Sequence, residues 1–258
     1  FMVANNAQFV GFSMEVGPAG DLYVLDWHDA DICGASVLNK DTGRVYRIMP
    51  ENSLAKDWPG RFDDLNNRSD EELVELQLSK SNWHAQRARI ILQYRASKKA
   101  LTSGSISRLN ELLVNNKNED TRLRALWTLQ ITNNLPEKGL IALLEDKDQY
   151  IRAWAVQFLV EDGQPSPRAT QMLTALAKKE HSPVVRRYLA GALQRIDEGN
   201  RWEIAESLVQ FKEDARDPNI PLMLWFGIEP LVAKQPEKAL ALANESEIPS
   251  IVQKIARR

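Results

Sequence analysis

At 258 residues the chain is long enough to bury a substantial core in one large domain or two. Its 43% hydrophobic and 26% charged residues are ordinary for a globular protein, and 33 Lys plus Arg against 35 Asp plus Glu leave a net charge of -2. That balance argues against a dedicated nucleic-acid or membrane-surface protein. No apolar run approaches the roughly 20 residues of a membrane helix, and a single cysteine, Cys33, excludes an internal disulfide. No signal peptide is visible. A chain that begins at Phe1 without an initiator Met is expected to be a piece of a longer polypeptide.

Residues 1–50 carry short runs rich in Val, Tyr, Phe and Ile: 8–16 (QFVGFSMEV), 22–26 (LYVLD) and 44–49 (RVYRIM). Turn-formers separate them, Gly17-Pro18-Ala19-Gly20 first and Lys40-Asp41-Thr42-Gly43 second. The pattern predicts short antiparallel strands joined by tight turns. Two or three strands are marginal alone, so these are expected to pair with further sequence or to pack on helices.

Residues 51–68 are polar, carry Pro59 and Gly60, and read as a linker. Helices are predicted from there to the end, so that 69–258 forms one helical array. Ser69-Asp70-Glu71-Glu72 is a capping box. Helix pairs are expected at 69–79 and 82–97, 105–115 and 120–132, and 136–146 and 148–161. Three more follow at 166–179 and 182–196, 200–213 and 218–234, and 236–245 and 248–257. Pro136, Pro183 and Pro236 fall in first turns, and Gly104, Gly163 and Gly199 in the gaps.

A phrase recurs within this array: an acid or small polar residue, an aliphatic residue three later, then arginine, with small or apolar residues three and six beyond. It reads Asp120-Leu123-Arg124-Trp127-Gln130, Asp148-Ile151-Arg152-Ala155-Phe158 and Ser182-Val185-Arg186-Leu189-Ala192. Looser copies are Trp83-Gln86-Arg87-Ile90 and Asp217-Ile220-Pro221-Leu224-Gly227. Positions 87, 124, 152, 186 and 221 are spaced by 37, 28, 34 and 35 residues. A step near 35 with helical periodicity inside each unit marks a solenoid of helix pairs. The leading Asp or Ser is expected to cap the second helix of each pair, worth about 1 kcal/mol per cap. The D-x-x-[VIL]-R core resembles HEAT repeats. That resemblance implies a ladder of Arg87, Arg124, Arg152 and Arg186 with acids of adjacent repeats, among them Asp120 and Asp148. It also implies first helices on a convex face and second helices on a concave one. The fold class expected is therefore mainly α, a HEAT-type α-solenoid of five to six pairs with a small N-terminal antiparallel β segment.

The densest polar cluster is Asp26-Trp27-His28-Asp29-Ala30-Asp31-Ile32-Cys33. Asp26, His28, Asp29 and Asp31 are the candidates for holding a metal or a sugar. The competing reading makes each Asp a turn cap after a strand, with Trp-Asp as punctuation between propeller blades. Cys33 has no second cysteine for zinc or for C-x-x-C-H haem attachment and reads as a buried thiol. His84 and His181 are expected to face solvent or cap helices, and Trp127, Trp154, Trp202 and Trp225 to pack in the core. The run from Asn82 to Arg108 holds Arg87, Arg89, Arg95, Lys98, Lys99 and Arg108 with no acid, and Trp83 and Tyr94 lie among them. Such a surface suits a phosphate backbone, or is a solvated helix face. No phosphate-binding loop, nucleophile elbow, zincin or dinucleotide fingerprint occurs.

Residues 17–29 (GPAGDLYVLDWHD) followed by 42–48 (TGRVYRI) resemble the last blade of a sugar-dehydrogenase-like β-propeller. Residues 217–231 (DPNIPLMLWFGIEPL) are similar to the end of a HEAT segment in the same family, one of membrane-bound dehydrogenases. In that family a propeller is followed by HEAT repeats and a haem-binding cytochrome c domain. The resemblance implies that 1–50 is the propeller's end, and that haem c, with a quinone or metal, belongs to the parent protein and not to this piece. It further implies an exported, periplasmic setting. The expected function is a non-catalytic scaffold that positions propeller and redox modules, with partners in the same polypeptide or in another protein. Two alternatives remain: an active-site rim built from residues 26–31, and nucleic-acid binding.

Overall fold

The computed structural model describes residues 5, 8–28, 42–49, 51–52, 60 and 62–258. The chain is mainly helical, with a three-stranded antiparallel sheet near its start, and it divides into two compact units, 1–115 and 116–258.

In the first unit, strands β1 (Gly11–Val16), β2 (Leu22–Asp26) and β3 (Arg44–Ile48) form one sheet in sequence order. The β1–β2 hairpin turns at Gly17-Pro18-Ala19-Gly20, where Gly20 N–H donates to the Gly17 carbonyl at 3.0 Å. Pro18 presets the first turn residue, and Gly20 has φ +79°, a left-handed conformation that side chains resist. Met14 opposes Val24 and Val24 opposes Tyr46, while Ser13, Leu25 and Val45 share the other face. Arg47 reaches across to the buried Asp21 carboxylate, Nε to Oδ2 at 2.6 Å.

Among the described residues of this unit three α-helices follow: α1 (Asp70–Glu75), α2 (Asn82–Ala96) and α3 (Ser103–Asn115). Ser69 begins α1 with both halves of a capping box, its oxygen accepting from Glu72 N–H and Glu72 accepting from Ser69 N–H. Leu73, Val74, Ala88, Leu92, Leu109 and Leu112 close the core. His84, expected at the surface, is fully buried. It lies at the start of the stripe His84, Ala85, Ala88, Ile91 and Leu92, which helical periodicity turns inward. The sheet is tied to α2 where Ser81 Oγ donates to the Pro18 carbonyl at 3.2 Å.

The second unit contains nine helices: α4 (Glu119–Ile131), α5 (Glu137–Leu143), α6 (Gln149–Leu159), α7 (Pro167–Ala177), α8 (Pro183–Ala192), α9 (Glu198–Leu208), α10 (Ile220–Val232), α11 (Pro236–Glu245) and α12 (Pro249–Arg257). They make two rows. The second helices α4, α6, α8, α10 and α12 each pack on the next, and so do the first helices α5, α7, α9 and α11. The reason is in the phrase: Ile151, Val185 and Ile220, then Ala155, Leu189 and Leu224 four later, are all fully buried. One face of each second helix thus seals against its neighbours, which is how pairs too small to fold alone gain a shared core. Gly104 and Gly199 lie inside the first turns of α3 and α9, one step beyond the gaps expected for them.

Gly227 marks a close approach of α10 to the end of α8. A Cβ built there would stand 2.5 Å from Leu193 Cβ, in the short 3₁₀ turn that follows α8. Gly227→Ala should therefore force α10 away from that turn and cost about 1–3 kcal/mol. Urea unfolding measures it, and an unchanged midpoint would mean the two backbones are farther apart than this packing requires.

Candidate functional site

Three of the second helices in the second unit, α4, α6 and α10, follow a residue whose side-chain oxygen satisfies an early amide. Asn118 Oδ1 accepts from Thr121 N–H at 2.8 Å, Asp148 Oδ1 from Tyr150 N–H at 2.8 Å, and Asp217 Oδ1 from Ile220 N–H at 2.9 Å. Four residues after the caps at 118, 148 and 182 stand Arg122, Arg152 and Arg186. Counting from these caps, α4 enters the register two residues earlier than the sequence phrase suggested. The cap is Asn118 where Asp120 was expected, and the arginine at the ladder position is Arg122 where Arg124 was expected. Ser182 begins α8 without capping through its hydroxyl, which donates instead to Gln149 Oε1.

The three guanidinium groups form a continuous chain. Arg122 Nη1 donates to Asp146 Oδ1 at 3.1 Å, and its Nη2 meets the other carboxylate oxygen. Arg152 holds the Asp146 carbonyl through Nη1 at 2.8 Å and grips Glu180 through Nε and Nη2, both at 2.8 Å. Arg186 takes the His181 carbonyl at 2.7 Å and forks onto Asp214 at 2.6 and 2.7 Å. Its guanidinium carbon also lies 4.0 Å from the centroid of the Phe211 ring. Planar two-point contacts of this kind fix orientation as well as distance. Burial pushes the Asp146 carboxyl up, but Arg122 and the Asp148 amide outweigh it and hold the group below the usual carboxylate range. Burial acts the same way on Glu180, and Arg152 with the Ser182 amide outweigh it. The acids Asp146, Glu180 and Asp214 were missed in the sequence. Their signal is position: Asp146 and Glu180 sit two residues before the caps Asp148 and Ser182.

The remaining expected ladder residues lie elsewhere. Asp148 caps α6. Arg124 is half-buried, burial pulls its guanidinium below its usual value, and the Asp120 charge opposes that. Arg87 is exposed on α2, where its charge acts on Asp64, and Ala85 occupies the place four residues after Ser81.

A second feature of the same helix row is aromatic. Trp127 and Trp154 meet edge to face with centroids 5.4 Å apart, and Trp154 lies 5.2 Å from Phe158 and 6.2 Å from Tyr188. All four are half-buried, and Tyr150 and Phe226 on the same row are exposed. Trp202 is core, as its expected role requires, and Trp225 is half-buried.

In the first unit, β2 ends in a buried Asp26–His28 pair. Asp26 Oδ1 accepts from Val10 N–H at 3.0 Å and His28 N–H at 2.9 Å, and Asp26 Oδ2 lies 3.3 Å from His28 Nδ1. Burial pushes the Asp26 carboxyl up, yet those amides and the imidazole hold it below its usual value. His28 has φ +52°, a left-handed backbone for a residue with a side chain. Asp29, Asp31 and Cys33 lie outside the described residues. Among the described residues no group of three or more His, Cys, Asp or Glu side chains is placed to hold a metal. The basic run is largely engaged within the unit: Arg95 pairs with Asp70 at 2.7 Å, Arg108 with Glu75 at 2.6 Å, and Lys98 covers the Tyr94 ring.

Paired helices in two rows, three of them linked by arginine to the next pair, define a helical-repeat protein. The family model of HEAT repeats matches residues 106–194, so the chain contains a HEAT-repeat region, and HEAT repeats are protein-interaction modules. No curated protein matches the chain. No helix among the described residues is long and apolar enough to cross a membrane.

Two outcomes follow from the arginine chain. Arg186→Met strands the buried Asp214 carboxylate and should cost about 3–5 kcal/mol in urea unfolding, whereas Arg186→Met with Asp214→Leu should recover most of that. Asp146 and Glu180 titrate lower folded than unfolded, so near pH 4 the folded state binds fewer protons. Their contribution is present above about pH 4 and is lost as pH falls through the folded values. Thermal melts at descending pH should show this decline, and Glu180→Gln should flatten it.

Proposed function

We propose that this chain is a non-catalytic protein-interaction scaffold within a larger polypeptide of the membrane-bound dehydrogenase kind, joining a propeller module to a redox module. The observation that carries the reading is the aromatic strip on the second helices. Trp127, Trp154, Phe158 and Tyr188 are only half-buried although the apolar faces of the helices that carry them are sealed. Aromatic side chains held rigidly at a surface are the usual anchors of protein interfaces, and the arginine chain sets the register of the helices that carry them. The partner is another domain of the same polypeptide or a separate protein. Haem c and any quinone would reside in the parent's other modules, since the chain's one cysteine cannot form a C-x-x-C-H pair. An exported setting accompanies that parent.

A second reading rests on one observation, the buried His28 strained against Asp26, and makes that pair part of an active-site rim in a sugar or alcohol dehydrogenase. Nucleic-acid binding has less support, because Arg95 and Arg108 are already occupied by acids.

The purified chain should retain no added haem and oxidise no sugar with an artificial electron acceptor. Turnover that vanishes in His28→Ala would move the assignment to the second reading. Flanking modules of the parent supplied in trans should bind, and Trp154→Ala with Tyr188→Ala should weaken that binding about tenfold or more. Equal binding by this variant would remove the strip from the interface.

A further inference from the structure

Strand β1 is an edge: among the described residues it pairs with β2 alone. Gly17 N–H donates to the Asp21 carbonyl, so bonded pairs alternate along the ladder, and Met14 and Val16 fall at the positions between. Their own N–H and C=O groups therefore point away from β2. Proteins normally guard such an edge with lysine, proline or a covering element. β1 carries one charge, Glu15, and exposes Phe12 by 63%, Met14 by 68% and Val16 by 55%.

The edge borders an open cleft of 750 Å³, lined by Met14, Glu15 and Val16 of β1, by Leu65, and by Trp83, Arg87 and Ile90 of α2. A strand beside β1 needs about 4.8 Å of separation, whereas a helix with its side chains needs about 10 Å. Three carboxylates line the cleft, Glu15, Asp63 and Asp64, against one guanidinium, Arg87. Arg68 neutralises Asp63 at 2.8 Å, which leaves Glu15 and Asp64 against Arg87. The walls thus offer unpaired backbone groups, apolar surface and a residual negative charge.

We propose that this cleft binds an extended segment of a partner protein, apolar at alternate positions and basic between them, which adds to the sheet as a fourth strand along β1. Backbone bonds to Met14 and Val16 supply affinity, apolar side chains pack on Trp83 and Ile90, and lysine or arginine meets Glu15 and Asp64. A second copy of β1 is a poorer occupant, since it would bring another carboxylate to an acidic cleft. The proposal rests on the first unit and goes beyond the aromatic strip, so either can fail alone.

The probe is a labelled seven-residue peptide of alternating Val and Lys, followed by fluorescence anisotropy against the whole chain. Binding is expected, and Val16→Pro should weaken it about tenfold by removing an outward donor while leaving the ladder to β2 intact. Ile90→Lys, an exposed change on α2, should weaken it too, which guards against a β1 variant that fails to fold. Alternating Val and Glu should bind far more weakly. The proposal is overturned by absence of binding at millimolar peptide, by equal affinity of Val16→Pro, by equal affinity for the Glu peptide, or by β1-dependent dimerisation of the chain.

Discussion

The second unit depends on a constraint that no single helix pair meets: a guanidinium withdrawn from water must find its carboxylate in the following pair. Arg186 and Asp214 are both nearly inaccessible, and neither is tolerable without the other. Apolar stacking alone is permissive, because leucine and alanine faces slide with little penalty. The fork of Arg152 on Glu180 admits no such slip, since a shift of one residue would leave two charges buried and apart. The apolar seam supplies most of the stabilisation and the arginine chain supplies the register. Register in turn decides which side chains share the surface, and so places Trp127, Trp154 and Tyr188 within ring contact of one another.

Each rung also organises its own loop. Asp146 receives Arg122 through its carboxylate, gives its carbonyl to Arg152, and accepts the Asp148 amide at 2.9 Å. Glu180 does the same for Arg152 and the Ser182 amide. One acid thereby ends one connection, starts the next helix and receives the previous repeat. A buried ion pair is a weak source of net stability, but one that satisfies three partners at once is a strong determinant of geometry.

Much of this was legible in the sequence. Helix periodicity, the proline and serine starts and the turn residues located the twelve α-helices and three strands of the described residues to within a few residues, because local pattern and tertiary demand agree there. The register of α4 was not. Asp120 and Arg124 mimic the phrase, and only the Asn118 cap reveals that Arg122 is the inward residue. Two arginines two residues apart differ by about 200° around the axis, so a two-residue misreading exchanges the buried Arg122 for the half-buried Arg124. His84 was hidden for the opposite reason: a lone polar residue on an apolar stripe carries no local mark of burial. The acids that complete the ladder lie about 24 to 28 residues from their arginines, beyond any periodicity within one helix.

The chain of arginines also has ends, and they explain where the repeat character fades. Four residues after the Asp217 cap stands Pro221, which offers no donor, and Arg187 reaches Asp217 from the preceding helix at 2.9 Å instead. Beyond that point α12 is held on α10 and α11 by Ile248, Ile251 and Ile255. The match to HEAT repeats stops at 194, just after the last arginine of the ladder. The terminal pair therefore keeps the apolar half of the design and lacks the polar half. A surface that must present side chains at fixed spacing is better built over the rungs, where register is enforced. The aromatic strip runs along the same helices as the rungs, with Trp127 on α4 like Arg122 and Tyr188 on α8 like Arg186.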